Sequence, residues 1–149
     1  MDSRPETARH IFTMQGFMAK VLCALQRRLV KHDQTKLEEP EVEVFDEVTE
    51  RLHALTYGSP EYNAMLAQLK PALDHHYQHN RHHPEHFKNG IRDMNLVDLV
   101  ELICDWKAAS LRHTDGNIRK SIEKNQDRFG YSDELKQILM NTVELLEME

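Results

Sequence analysis

The sequence has few of the residues that make turns or cross-links. It contains five glycines, five prolines and two cysteines in 149 residues, and aromatic residues make up 7% of it. Scarce glycine and proline favour helices over a turn-rich β architecture. Cys23 and Cys104 both lie in apolar helical patterns. They are typical of buried free thiols in a reducing cytoplasm, and a disulfide between them is the alternative.

The chain also lacks an excess of positive charge and a long apolar run. Its 19 basic and 25 acidic residues give a formal net charge of −6, which argues against nucleic acid as the main partner. No apolar run approaches the ~20 residues of a membrane span, and the N-terminal MDSRPETARHIF has no signal core. We therefore expect a cytoplasmic protein with no membrane partner.

Apolar residues recur with helical spacing along most of the chain, without internal repeats or linkers. A chain of this length typically forms one domain with a sizeable core. The pattern predicts an all-α bundle of about six helices in a single domain over residues 1–149. The predicted helices cover residues 5–31, 44–55, 60–84, 95–112, 117–128 and 132–146, and the third has an N-cap at Ser59 and ends near Pro84.

Histidines are concentrated in one short segment. Six of the ten histidines lie within twelve residues, namely His75, His76, His79, His82, His83 and His86. Imidazole is the commonest protein ligand of borderline metals and titrates near neutral pH. The segment is therefore a metal site, a proton-handling site or an affinity tag. Its mid-chain position and its interleaved Asp, Tyr, Asn and Glu residues exclude the tag.

The predicted helical phase distinguishes the histidines that face inward from those that are more exposed. If the third helix continues beyond Leu73, its inner face includes His76 and His83, with His79 at the border. His75 and His82 then lie to one side and are more exposed. Since Pro84 interrupts this helix, His82 is kept as a candidate ligand.

The fourth helix is apolar nearly all round and is expected to be central. Its main polar interruption is one stripe of acidic residues, at Asp98, Glu101 and Asp105. This stripe is either a solvent-facing strip or an inward-facing part of a site, and the spacing alone favours neither.

The dipeptide His32-Asp33 follows an apolar helical run, and Lys36 completes the pattern HDxxK. This arrangement resembles the centre of the HD superfamily of metal-dependent phosphohydrolases, and Cys104-Asp105-Trp106-Lys107-Ala108-Ala109 resembles its later aspartate segment. The resemblance implies His32, Asp33 and Asp105 as metal ligands. Members with two metals add histidines from an intervening helix, and His76 and the run 82–85 are similar in order and residue type, though not in spacing.

The whole chain further resembles a small bacterial and phage family of HD-like proteins. The shared segments are RHI, HDQTK, YGSPEY, HHYQHNRHHPEHF, MNLVDLVELICDWKAASLRH and DGNIRKSIEKNQDRF. They cover nearly all of the sequence. This resemblance implies an HD-like fold and the position of a site, and it does not imply a substrate.

HD enzymes usually take a first metal ligand from a histidine well before the HD pair, and His10 is the only candidate here. If 5–31 is one straight helix, His10 and His32 are separated by roughly 33 Å. Ligands of one ion lie within a few ångströms, because zinc bonds measure about 2.0–2.2 Å. His10 therefore ligates only if the helix breaks, for which Gly16 is a weak candidate, or if a second subunit of a homodimer supplies it.

These observations lead to a functional expectation. We expect a metal-dependent phosphohydrolase that uses one or two ions of Mn²⁺, Fe²⁺, Zn²⁺ or Ni²⁺ and acts on a nucleotide or another small phosphate ester or anhydride. Such ions lower the pKa of bound water. Glu85, Glu101 or a spare histidine is the candidate proton carrier, and Lys36 is a candidate phosphate-binding cation. Further candidates for binding the phosphate are Lys107, Arg112 and Arg119, and the alternative for each of these cations, as for Lys36, is a solvated surface charge. The alternatives are a non-catalytic helical module that binds metal or a small ligand, and a satisfied polar core.

Overall fold

The computed structural model describes residues 2–53, 60–112 and 116–148. Over these residues the regular structure is helical, and no strand is present. The all-α prediction is confirmed. The α-helices in the described ranges are α1 (Arg4–Lys31), α2 (Glu41–His53), α3 (Pro60–Gln68), α4 (Lys70–His79), α5 (Leu96–Ser110), α6 (Ile118–Phe129) and α7 (Asp133–Glu147).

The chain divides into two structural units, of which the first ends at His32 and the second begins at Asp33. The first unit is α1, a continuous helix of 28 residues that Gly16 does not interrupt. None of its side chains is buried, and apolar residues such as Met18 and Leu29 are 57% and 81% exposed. The predicted helix over 5–31 is therefore confirmed, and most of the apolar side chains of its stripe are exposed.

The core of the second unit is built from α5, α6 and α7. Its buried apolar side chains are Ile91, Ile103, Ile118, Ile122, Tyr131, Leu139 and Val143. The ends of these helices follow from local chemistry. Asn95 and Asp98 form a reciprocal capping box at the start of α5. Gly130 ends α6 with a φ of 63°, a conformation that glycine adopts at little cost, and the Ser132 side chain caps α7.

The region predicted as one helix over 60–84 contains two helices and an irregular segment. Pro71 lies in the first turn of α4, where its missing N–H costs nothing, so a new helix begins there. Asn80 is extended and ends α4 after His79. Short 3₁₀ helices follow at Pro84–His86 and Gly90–Asp93. The predicted N-cap Ser59 lies outside the described residues.

Both cysteines are free thiols with exposed side chains. The prediction that they are buried is wrong, because α1 buries none of its side chains and Cys104 lies on an exposed part of α5. None of the helices in the described ranges combines the length and the hydropathy that a membrane crossing requires.

Candidate metal centre

Asp33 lies in the middle of the candidate metal centre, with its carboxylate close to two histidines and a lysine. Its φ of 55° is left-handed, a conformation that Asp tolerates better than most residues. Its Oδ1 lies 3.2 Å from Nε2 of His76 and 3.4 Å from Nε2 of His82. Lys36 Nζ donates to Oδ2 at 2.6 Å. One carboxylate oxygen therefore faces two imidazoles, and the other faces a cation.

His76 is held in place by a buried carboxylate. It projects from α4, is 1% exposed, and has its Nδ1 2.8 Å from Oε2 of Glu41. The other Glu41 oxygen lies 2.7 Å from Nδ1 of His75, and Thr35 Oγ1 donates to Oε2 at 3.0 Å. An ionised carboxylate only accepts hydrogen bonds, so His76 donates through Nδ1 and keeps the lone pair of Nε2 for the site. This is the geometry in which an outer carboxylate orients a metal-ligating histidine.

His82 also faces a carboxylate, which lies on α5. Its Nδ1 lies 3.3 Å from Oε1 of Glu101, and its ring is 1% exposed. The preceding residue, Arg81, donates two hydrogen bonds of 3.1 and 2.9 Å to the buried Asp98 carboxylate. The acidic stripe of α5 therefore faces the histidine segment, which decides the question that its spacing left open.

The structure corrects the helical phase assigned to the histidines. The inward position of His76 is confirmed, whereas the prediction that His82 lies to one side and is exposed is wrong. The reason is that α4 ends at His79, so the helical phase is lost at Asn80. His79, predicted at the border of the inner face, is exposed, and its Nδ1 bonds the carbonyl oxygen of His75 at 2.8 Å. His83 is half-buried, and its Nε2 lies 3.0 Å from Nε2 of His76.

Two overlapping groups of donor atoms have a spacing that suits a metal ion. One donor atom from each of Asp33, His76, His82 and His83 lies within 4.8 Å of the others, and Asp105 forms a second group with Asp33 and His82 under the same limit. Ligands at about 2.0–2.1 Å from a tetrahedral ion are separated by about 3.3 Å. The measured separations of 3.0, 3.2 and 3.4 Å match that value. The donor set of imidazoles and carboxylates fits a divalent transition metal.

The charge states of the donors also suit metal binding. Burial alone would raise the pKa of Asp33, but the neighbouring His76 and His82 and the bond and charge of Lys36 outweigh it and hold the pKa well below its usual range. Burial, reinforced by the neighbouring His82 and His76, lowers the pKa of His83 to about 3. At neutral pH the centre therefore contains an ionised carboxylate and a neutral imidazole, the forms that bind metals.

Several predicted residues occupy other positions. His10 lies in the unbroken α1 with an exposed side chain, roughly 33 Å from His32 along the helix. It does not reach His32 within one chain. His32 closes α1 through its backbone N–H, and its role as a ligand stays a prediction. Lys107 and Arg119 both bind Glu147, at 2.6 and 3.0 Å, so they form surface ion pairs.

Sequence reasoning missed Glu41, whose side chain is 0% exposed. Burial alone would raise its pKa, but hydrogen bonds from His75, His76 and Thr35 outweigh it and lower the pKa. An acidic residue in the first turn of a helix is ordinarily explained by the helix dipole. The sequence therefore carries no signal that this carboxylate is buried against the histidines.

A cavity of about 400 Å³ adjoins the donor groups. His83 belongs to both its wall and the first donor group. Glu85, a predicted proton carrier, also lines it and accepts a hydrogen bond from Arg128 at 2.7 Å. The candidate centre therefore opens beside a space of the size that small ligands occupy.

Comparisons with known proteins and protein families identify the family of the chain. No curated protein and no solved structure matches the chain. The sequence model of DUF5662, described as a family of unknown function, matches residues 1–146. Because the match extends over nearly the entire sequence, the chain belongs to the DUF5662 family.

Proposed function

We propose that the protein is a metal-dependent phosphohydrolase of HD type that acts on a small phosphate ester or anhydride. The observation that carries the proposal is the convergence of three donors: Asp33 Oδ1 lies 3.2 and 3.4 Å from the Nε2 atoms of His76 and His82. The resemblance of HDxxK and of the segment around Asp105 to HD enzymes supports the same reading.

One or two divalent transition-metal ions would be held by Asp33, His76, His82, His83 and Asp105, with His32 as the ligand that the HD resemblance adds. When bound, such an ion lowers the pKa of a coordinated water and offsets charge on phosphoryl oxygens.

Side chains around the donor atoms would orient the ligands, balance their charge and accept a proton. Glu41 accepts a hydrogen bond from Nδ1 of His76, so that Nε2 of His76 stays directed at the centre, and Glu101 places a carboxylate 3.3 Å from Nδ1 of His82. Lys36 balances the charge of Asp33 and brings a cation to the place where phosphate would bind. Glu85, on the wall beside His83, is the residue we assign to accept a proton.

A second candidate function, a non-catalytic metal-binding module, is favoured by the first donor group. Asp33, His76, His82 and His83 are four donors, which is enough to close a tetrahedral shell, and closed shells are typical of structural metals. The second group contains Asp105 together with Asp33 and His82. Asp105 is also the later aspartate that the HD resemblance implies, so the proposal of an enzyme depends on this residue.

The test is phosphate release by Mn²⁺-loaded protein, purified without a histidine tag, from a panel of nucleotides and model esters. Asp105→Asn should stop turnover without unfolding the protein, whereas Asp127→Asn, at an exposed position of α6, should leave turnover unchanged. Failure of every substrate with several metals, or turnover that persists in Asp105→Asn, would favour the binding module.

A further inference from the structure

The cavity beside His83 has a wall that suits one class of ligand. Its volume of about 400 Å³ lies within the range of small-molecule sites. The wall combines the histidine segment with one face each of α5 and α6. The residues that matter for recognition are Trp106, Asn125, Phe129, Glu85 and Arg128.

The first recognition feature is a pair of stacked aromatic rings. The rings of Trp106 and Phe129 are nearly parallel, with an interplanar angle of 12° and centroids 6.2 Å apart. Both rings are half-buried and line the cavity. Aromatic side chains in a cavity wall contact planar rings and the apolar faces of sugars, because both contacts bury apolar area.

The second feature is a row of polar side chains along α6. Asn117, Ser121 and Asn125 are spaced four residues apart, so they follow one face of the helix toward the cavity. Asn117 Oδ1 accepts from the Lys120 N–H, and Ser121 Oγ donates to the Asn117 carbonyl.

Asn125 differs from these two residues. Within the described part of the chain its side chain makes no hydrogen bond, although it is half-buried in the wall. The side-chain amide of Asn125 has a hydrogen-bond donor and an acceptor. It can therefore bind a ligand that presents an acceptor and a donor side by side.

The third feature is the absence of net charge among the described wall residues. Glu85 and Arg128 are paired at 2.7 Å, and the Arg128 guanidinium also lies 4.7 Å from the centre of the Phe129 ring. Their charges cancel, so this wall offers no excess cation to a chain of phosphates. The cavity therefore favours an uncharged group, and an anionic group belongs on the side of the metal centre and Lys36.

We propose that the cavity binds the uncharged ring of a phosphate monoester, either a sugar or a nucleobase, and that the phosphate lies toward His83. The inference rests on the proposed function, because it assigns the organic part of the same substrate. It predicts that monophosphates with a ring bind better than ringless monophosphates and better than triphosphates.

Trp106 is the only tryptophan in the sequence, so its fluorescence reports on this cavity directly. The protein is treated with a chelator and titrated separately with adenosine monophosphate, glucose monophosphate, glycerol monophosphate and adenosine triphosphate, with calorimetry as a second measurement. We expect saturable binding of at least one of the first two compounds and weaker binding of the others. Asn125→Ala should weaken that binding about tenfold, since a hydrogen bond in a partly buried site is lost. Asn141→Ala, at an exposed position of α7, is the matched control and should bind as the wild type.

Three results would overturn the inference: no saturable binding of either ring compound by both methods, equal binding by the wild type and Asn125→Ala, or equal binding of the ringless ester. These outcomes are separate from the failure of the proposed function. Ring binding by the metal-free protein without turnover on any substrate would support the cavity assignment and count against the enzyme. Turnover with no preference for substrates that contain a ring would support the enzyme and count against the cavity assignment.

Discussion

His76 Nδ1 lies 2.8 Å from Oε2 of Glu41, and both side chains are fully buried. This contact fixes which imidazole nitrogen is available to the centre. Outer carboxylates that orient a ligating histidine commonly change metal affinity by 10- to 100-fold. Glu41 is therefore a positioning residue in this account.

Glu41→Gln should lower the affinity for Zn²⁺ or Mn²⁺ by about tenfold or more, because the neutral amide no longer holds the Nδ1 proton of His76 as strongly. Metal titration by calorimetry measures the change. Glu43→Gln, on an exposed position of the same helix, is the control and should leave affinity unchanged. Equal affinities in Glu41→Gln and Glu43→Gln would show that Glu41 has no such role.

Arg81→Gln should destabilise the protein by about 1–3 kcal/mol, because the buried Asp98 carboxylate loses the cation that donates two hydrogen bonds to it. It should also weaken metal binding, because Arg81 fixes the backbone beside His82. Urea unfolding and metal titration measure the two effects. The exposed Arg92→Gln serves as control, and loss of stability without any loss of metal affinity would separate this ion pair from the centre.

Acid should destabilise the metal-free protein through His83. Its folded-state pKa of about 3 lies below the ordinary 6.5 of histidine, so between these values the unfolded chain binds a proton that the folded chain does not. The contribution of neutral His83 to the free energy of unfolding is fully present above about pH 6.5. It is lost as the pH falls toward 3, at up to about 1.4 kcal/mol per pH unit. Urea unfolding of chelator-treated protein at a series of pH values measures this slope. His83→Gln should have a smaller slope, and an unchanged slope would contradict the assignment.

The helices were largely predictable because their signals are local. The apolar spacing of α1 and the caps at Asn95, Gly130 and Ser132 lie close in sequence to the ends that they define. The same local reasoning failed after His79. Asn80 leaves the helix, so the helical phase no longer predicts that His82 is more deeply buried than His83.

The candidate site was predictable only in part. The inward position of His76 followed from periodicity, and Asp33 and Asp105 followed from the resemblance to HD enzymes. Periodicity located the acidic stripe of α5 but left open whether it faces solvent or the site. Glu41 did not, because its burial depends on contacts with α4, 34 and 35 residues further along the chain. The cavity was also missed, since Trp106 and Asn125 come from separate helices and neither forms a motif by itself.

The most direct test of the central claim is the metal content of tag-free protein in the wild type and in Asp33→Asn. Asn tolerates the left-handed backbone of position 33, so this substitution removes the charged donor and keeps the fold. Asp74→Asn, at an exposed position of α4, is the matched control. Elemental analysis should find one or two transition-metal ions per chain in the wild type and in Asp74→Asn, and none in Asp33→Asn with an unchanged circular dichroism spectrum. Full metal occupancy in folded Asp33→Asn, or no metal in any of the three proteins after loading, would contradict the account.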